Sequence, residues 1–421
     1  MFSWLHRGLR TWVMRDPQSS VSGARRSRGS GRVLDPPFWH TLARPARHPA
    51  ARPYPRAMEF APSARSTLGV EWELAVVDPA TGEMVPRAEE LLRAIGDRRF
   101  DHEFLTSMIE LITGVHDTTD DAVDELRRMR DTAVEAAGRI GAALVGTGTH
   151  PTSQWRDQRQ GDDPRYRRVI EKAGDWGRRL VIFGVHNHVG VEQRDKVVPL
   201  LRTMLDRLPL ILALSASSPF WQGADTGYAS HRTMLFQQLP TGGLPPMLED
   251  WAEYERTLAD MLRAGVIDDL AELRWDVRPS PTLGTLEVRI ADGAPSIDDL
   301  AAVTALTHCL VEEASRALDA GHEPAHLPSW LVRENKLRSA RDGLDATAIV
   351  DADGTLQPVR DALGDAVERL APIAADLGAT RSLAAVTRVV ERGGSAALQR
   401  AAFARGGHRA VLDELLEQLR A

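Results

Sequence analysis

Apolar and polar positions alternate with a period of two over residues 67–77, 144–149, 179–191 and 275–290, which predicts β-strands. Between these stretches the period changes. Val123, Leu126, Met129 and Val134 recur at helical spacing, and Thr118 or Thr119 can cap a helix that runs to about Ile140. Residues 196–215 read as a largely buried helix interrupted at Pro209, 251–264 as another, and 297–318 as a long helix that buries Cys309. From 361 to 421 the chain is mostly helical, with Gly-Gly breaks at 393–394 and 406–407. Asp78-Pro79-Ala80-Thr81-Gly82 has the composition of a tight turn into a further strand, and residues 101–113 are mixed. There is no repeat, and strands and helices do not alternate as βαβ units. The predicted class is α+β, an antiparallel sheet covered by helices.

The first 57 residues break this pattern. They hold seven prolines, Arg- and Ser/Gly-rich stretches and no sustained periodicity, so they read as a disordered basic extension or as the product of a start codon placed upstream of Met58. Globular patterning begins near Ser66, and residues 58–421 read as a single catalytic domain. Eleven arginines against Asp16 and Asp35 give the leader a net +9, which leaves −16 for the rest of a chain whose formal charge is −7. An acidic body argues against nucleic acid as a partner and suits a cation-loaded site. No apolar run approaches the roughly 18–20 residues of a membrane span. With Cys309 as the only cysteine, an intrachain disulfide is impossible and a reducing, cytoplasmic setting is expected. A homo-oligomer is compatible with all of this.

Within the strand patterns, three segments place polar side chains two residues apart: Glu71 and Glu73, His186 and His188, Glu287 and Arg289. In a strand, i and i+2 point to one face. Two carboxylates held together near a core repel and lose hydration, so one takes a proton or a cation sits between them. The pattern suggests a magnesium site on the face of a sheet. Glu103 and Glu110 lie seven apart, which on a helix is two turns and one face. Each member has a plainer reading: alternating Glu on a solvated edge, a hydrogen-bonded core His, a local Glu287–Arg289 ion pair. Arg289 can neutralise a phosphoryl group, and Arg274 and Arg278 are further anion contacts. Residues 219–232 have the make-up of an ordered functional loop ending in Arg232. Lys336, one of only three lysines, stands with Arg338 as a phosphate contact. No Walker loop or Gly-x-Gly-x-x-Gly fingerprint is present, so metals and basic side chains would hold any nucleotide.

In order along the chain, Thr67-Leu68-Gly69-Val70-Glu71-Trp72-Glu73, Glu110-Leu111-Ile112-Thr113-Gly114-Val115, the His186-to-Gly190 strand, Ser218-Pro219-Phe220-Trp221-Gln222-Gly223, Asp225-Thr226-Gly227-Tyr228-Ala229-Ser230, Thr285-Leu286-Glu287-Val288-Arg289 and Glu334-Asn335-Lys336 resemble the bacterial carboxylate–amine ligases related to glutamate–cysteine ligase, type 2. The resemblance spans about residues 58–421. It implies a glutamine-synthetase-like sheet lining a cleft, ATP-dependent amide formation through an acyl phosphate, and magnesium held by Glu71, Glu73, Glu103, Glu110, His188 and Glu287. Glu71, Glu287 and Arg289 would be catalytic, and Arg232, Arg274, Arg278, Lys336 and Arg338 would meet the nucleotide. The substrates implied are glutamate as carboxylate and cysteine or another amine, with weak γ-glutamylcysteine formation. Ser217, Phe236 and Leu239 depart from the family pattern and leave substrate identity open. Two other classes stay open: a metal-dependent amide or ester hydrolase using the His/Glu cluster, and a catalytically silent nucleotide-binding relative.

Overall fold

A computed structural model describes residues 58–322 and 325–421, so the expectations for residues 1–57 lie outside the described part. The strands in chain order are β1 (Leu68–Val77), β2 (Phe100–His102), β3 (Met108–Ile112), β4 (Ala143–Val145), β5 (Gly184–Gly190), β6 (Phe220–Trp221), β7 (Ala224–Asp225), β8 (Val277–Ser280), β9 (Thr285–Asp292), β10 (Thr347–Ile349) and β11 (Leu356–Pro358). Seven form one sheet in the order β2-β3-β1-β5-β9-β8, with β4 also on β1, and every pair is antiparallel. The predicted α+β class with an antiparallel sheet is what the structure shows.

The helices are α1 (Ala88–Ile95), α2 (Thr119–Arg139), α3 (Pro164–Ala173), α4 (Asp175–Arg178), α5 (Val197–Ser215), α6 (His231–Phe236), α7 (Trp251–Arg263), α8 (Ile297–Asp319), α9 (Ser329–Asp342), α10 (Val359–Asp376), α11 (Thr380–Arg392) and α12 (Ser395–Arg420). Helices α2, α5 and α8 contact the sheet, and α10 and α11 pack on α8. Val70, Trp72 and Leu74 are fully buried, and the Trp72 indole donates to the Ala294 carbonyl at 3.2 Å. The Thr118 hydroxyl caps α2 by accepting from the Asp121 amide. No helix among the described residues is long and apolar enough to cross a membrane.

Several local expectations are corrected. The turn at 78–82 forms, with Asp78 accepting from the Ala80 and Thr81 amides, but the return leg makes one bridge, Val77 to Met84, before α1 begins. Helix α5 runs unbroken through Pro209. Proline removes a single amide, and packing of α5 against β8, β9 and α8 outweighs that loss. Residues 101–113, expected as mixed, lie in the β2–β3 hairpin, so the helical condition on the spacing of Glu103 and Glu110 is not met.

The segment before β1 is tied to the β8–β9 turn. Ala61 donates to the Pro281 carbonyl and the Ser63 hydroxyl to that of Leu283. Gly284 has φ +64°, and a Cβ there would lie 1.8 Å from the Ala61 carbonyl oxygen. Gly284→Ala is therefore expected to cost more than about 2 kcal/mol in urea unfolding, because positive φ and backbone contact act together. A loss under about 0.5 kcal/mol would show that residues 61–63 yield freely.

Candidate active site

Antiparallel register brings the candidate side chains onto one face of the sheet. Directly opposed residues share a face. Glu73 is opposite Glu110, Glu71 opposite His186, and Glu287 opposite both His188 and Arg278. Strands β3 and β1 thus present Glu110, Glu73 and Glu71 at one side of the face, β5 two imidazoles in the middle, and β9 and β8 Glu287 with Arg289 and Arg278 at the other. Glu103 follows β2 and adds its charge to those of Glu73 and Glu110. It joins Glu110 across a hairpin, not along a helix.

Two groups of three side chains bring ligand-type atoms within 4.8 Å of one another: Glu71, His186 and Glu287, and Glu73, Glu110 and His186. His186 Nδ1 lies 3.0 Å from Glu71 Oε2, and Nε2 lies 3.9 Å from Glu73 Oε1. Burial and the nearby Arg289 push His186 down to about 4, so the ring is neutral. The proton then belongs on Nδ1, donated to Glu71, and the Nε2 lone pair faces the carboxylates. His188 Nδ1 meets the Thr285 hydroxyl at 3.1 Å. Its buried Nε2, 3.4 Å from Glu71 and 3.7 Å from Glu287, makes no hydrogen bond among the described residues. Only His188 was expected as a ligand; the structure brings His186 to the same carboxylates.

The carboxylates divide into two kinds. Burial, then the neighbouring Glu103, lifts Glu73 to about 8. Burial and the charges of Glu71, Glu103 and Glu73 push Glu110 well above the ordinary range, and burial followed by Glu71 raises Glu103. Glu71 and Glu287 go the other way against the cost of burial, Glu71 because His186 and His188 stand beside it, Glu287 because Arg278 and Arg289 do. A cation is what the first set lacks. Uncompensated carboxylates and a neutral imidazole lone pair fit a hard divalent ion with mostly oxygen ligands.

On the cationic side, Arg278 Nε lies 2.6 Å from Glu287 Oε2, and Arg289 is ion-paired to the same carboxylate. Arg274 donates to the Glu272 carbonyl, and burial with Arg289 nearby lowers it to about 10. Lys336 is buried against Asp276 at 2.5 Å and lines a cleft of about 450 Å³ with Gln237, Gly243, Leu244, Arg333 and Leu337. Arg338 instead bonds Glu334 and the Thr347 carbonyl, on the side of α9 that packs against β10. Arg333 is the basic residue that shares the cleft with Lys336, and sequence reasoning passed over it. Arg232 is buried, and its guanidinium donates to the carbonyls of Arg289 and Ile290. The loop that ends in Arg232 stands on Asp292, whose carboxylate accepts from Ser217 N, Ser218 Oγ and Ser230 Oγ.

The family described as glutamate-cysteine ligase family 2 matches this chain over residues 67–414. The chain belongs to glutamate–cysteine ligase family 2. Among its relatives, "Putative glutamate--cysteine ligase 2-2" of Nocardia farcinica is 45% identical over 372 residues, covering 86% of this chain and 98% of that protein. A protein of Mycobacterium tuberculosis named as a type 2 member is also 45% identical, over 89% of this chain and 99% of its own length. Among solved structures, glutamate–cysteine ligase from Francisella tularensis in complex with AMP superposes with a TM-score of 0.61 at 15% identity, covering 86% of this chain and 90% of that one. A bifunctional glutathione synthetase from Pasteurella multocida gives 0.58 at 15%, over 84% of this chain and 51% of that one. These two share the fold. Family membership makes the chain an ATP-dependent carboxylate–amine ligase, as the resemblance implied.

Proposed function

We propose that the carboxylate this ligase activates is glutamate, that the acceptor is cysteine or a related amine, and that magnesium is required. The observation that carries the reading is the polarity of the sheet face: three glutamates of β1 and β3 at one side, two histidines of β5 in the middle, and Glu287 with Arg278 and Arg289 at the other. A carboxylate is a poor electrophile. It takes the terminal phosphoryl group of ATP, giving an acyl phosphate and ADP, and the amine then attacks the acyl carbon and displaces phosphate. Arg289, held by Glu287, faces the group in transfer, and Arg274 and Arg278 offset charge on the nucleotide. The cleft at Lys336 and Arg333 suits the rest of the nucleotide. Glu71, Glu73, Glu103, Glu110 and Glu287, with His186 or His188, would hold magnesium, which when bound would neutralise phosphate charge that otherwise repels the incoming carboxylate.

The test is phosphate release from ATP and magnesium by the chain from Met58 onward, with amino acids screened as carboxylates against a panel of amines and product identified by mass. Release should require both substrates and yield an amide, with glutamate and cysteine among the productive pairs. An amide formed only from other partners would remove glutamate and cysteine and leave the ligase class standing. Cleavage of amides or esters without ATP would overturn the ligase reading altogether.

A further inference from the structure

We propose that Arg232 is a positioning residue, its guanidinium capping two β9 carbonyls at a bulge in the sheet, and that Asp292 fixes it by gripping both feet of the loop it ends. The bulge is visible in the register. Val185 pairs with Ala291 and Asn187 with Val288, so Arg289 and Ile290 together oppose the single residue His186. Such a bulge re-aims side chains and interrupts the ladder. On the other side of β9 the register with β8 reaches Arg289, whose amide donates to the Asp276 carbonyl at 2.8 Å. The Asp276 amide goes instead to the Gly243 carbonyl at 2.7 Å, so the ladder does not use the Arg289 carbonyl there.

Arg232 enters there. Nη2 donates to the Arg289 carbonyl at 3.2 Å and Nη1 to that of Ile290 at 3.3 Å. Successive carbonyls of a regular strand point to opposite edges, so one guanidinium fork reaches both only at such an irregularity. The space for it comes from Gly184, where a Cβ would lie 2.3 Å from Arg232 Nη2, and the Gly184 amide is taken by Glu73 Oε2 at 2.5 Å. One buried cation thus sits beside Gly184, close enough to Glu73 and Arg289 to feel the charge of both. Asp292 accepts from Ser217 and Ser218 at the start of the loop and from Ser230 at its end, at 3.0, 2.6 and 2.7 Å. Ser218 Oγ in turn accepts the Arg232 amide at 3.1 Å.

The proposal rests on the ligase reading only in taking Arg289 as the residue that meets the phosphoryl group. Two variants, Arg232→Lys and Asp292→Asn, test it in the full protein by amide hydrogen exchange and by ligase kinetics. Without substrate, exchange at residues 184–186 and 289–293 should rise about tenfold or more, while amides pairing β1 with β3 keep wild-type rates. In the ligase assay kcat should fall about tenfold or more with KM for ATP within about twofold. Unchanged exchange with a tenfold higher KM for ATP would make Arg232 a phosphate contact and overturn the proposal, as would exchange that rises equally in every strand. Exchange is read without turnover, so failure of the ligase reading and failure of this one are distinguishable.

Discussion

Glu287→Gln is expected to remove ligase turnover, by about three orders of magnitude, and to destabilise the fold by about 3–5 kcal/mol. Glu287 is 1% exposed and is the shared partner of Arg278 and Arg289. Glutamine fills the same volume and keeps hydrogen-bonding capacity but removes the negative charge. Two partly buried guanidiniums then repel without an anion between them. Arg289 loses the anchor that aims it, and the candidate metal cage loses a ligand. Glu287→Asp separates the two effects: it restores the charge, so most of the stability should return. The shorter side chain still misplaces Arg289, and turnover should remain depressed. The measurement pairs phosphate release with urea unfolding on the same preparations. Turnover within about threefold of wild type in Glu287→Gln would mean that Arg289 is held by something else and that Glu287 is structural.

What the sequence made legible here was face, not neighbourhood. Period-two alternation places Glu71 with Glu73, His186 with His188 and Glu287 with Arg289 whatever surrounds the strands. The structure finds all three pairs on one side of one sheet. Which strands would be adjacent was not legible. The order β3-β1-β5-β9 pairs residues as far apart as Leu68 and Val189, and no local signal encodes that pairing. The link between Glu103 and Glu110 shows how a periodic argument reaches a useful residue by a mistaken route. Seven residues would be two helical turns, yet β2 and β3 bring the two together by pairing Asp101 with Glu110. Asp292 shows the opposite failure. Strict alternation from Glu287 puts it on the far face, but the extra residue at Arg289–Ile290 inverts the alternation, and Asp292 opposes Gly184 on the site face. A bulge leaves no signature in a single sequence, so Asp292 and the backbone role of Arg232 were invisible. The side chain of Arg338 was assigned with Lys336 by proximity in sequence, whereas i and i+2 diverge on a helix and Arg333 shares the cleft face.

Glu73→Gln is expected to do what few active-site substitutions do: stabilise the metal-free protein at pH 8 while abolishing turnover. Glu73 is buried, faces Glu110 across the β1–β3 ladder, and is raised from the ordinary 4.5 to about 8 by burial and by Glu103. Its folded pKa lies above its unfolded one. Below about pH 4.5 both states are protonated and the side chain costs the fold nothing. Between 4.5 and 8 the unfolded chain releases the proton while the folded one keeps it, so stability falls as pH rises, by a few kcal/mol in total at about 1.4 kcal/mol per unit. Glutamine has no proton to release, and that decline should be missing from the variant. Glu71 and Glu287, held low, act in the opposite sense and weaken the fold as pH drops below about 4.5, in wild type and variant alike. Magnesium gives the second arm of the test. A cation bound among the carboxylates favours their ionised, folded form, so millimolar magnesium at pH 8 should raise the melting temperature of the wild type by several degrees and that of Glu73→Gln much less. If the metal-free variant melts below the wild type at pH 8, the repulsion among Glu73, Glu103 and Glu110 is not what the fold tolerates for the sake of the site. If both proteins gain equally from magnesium, the ion binds elsewhere.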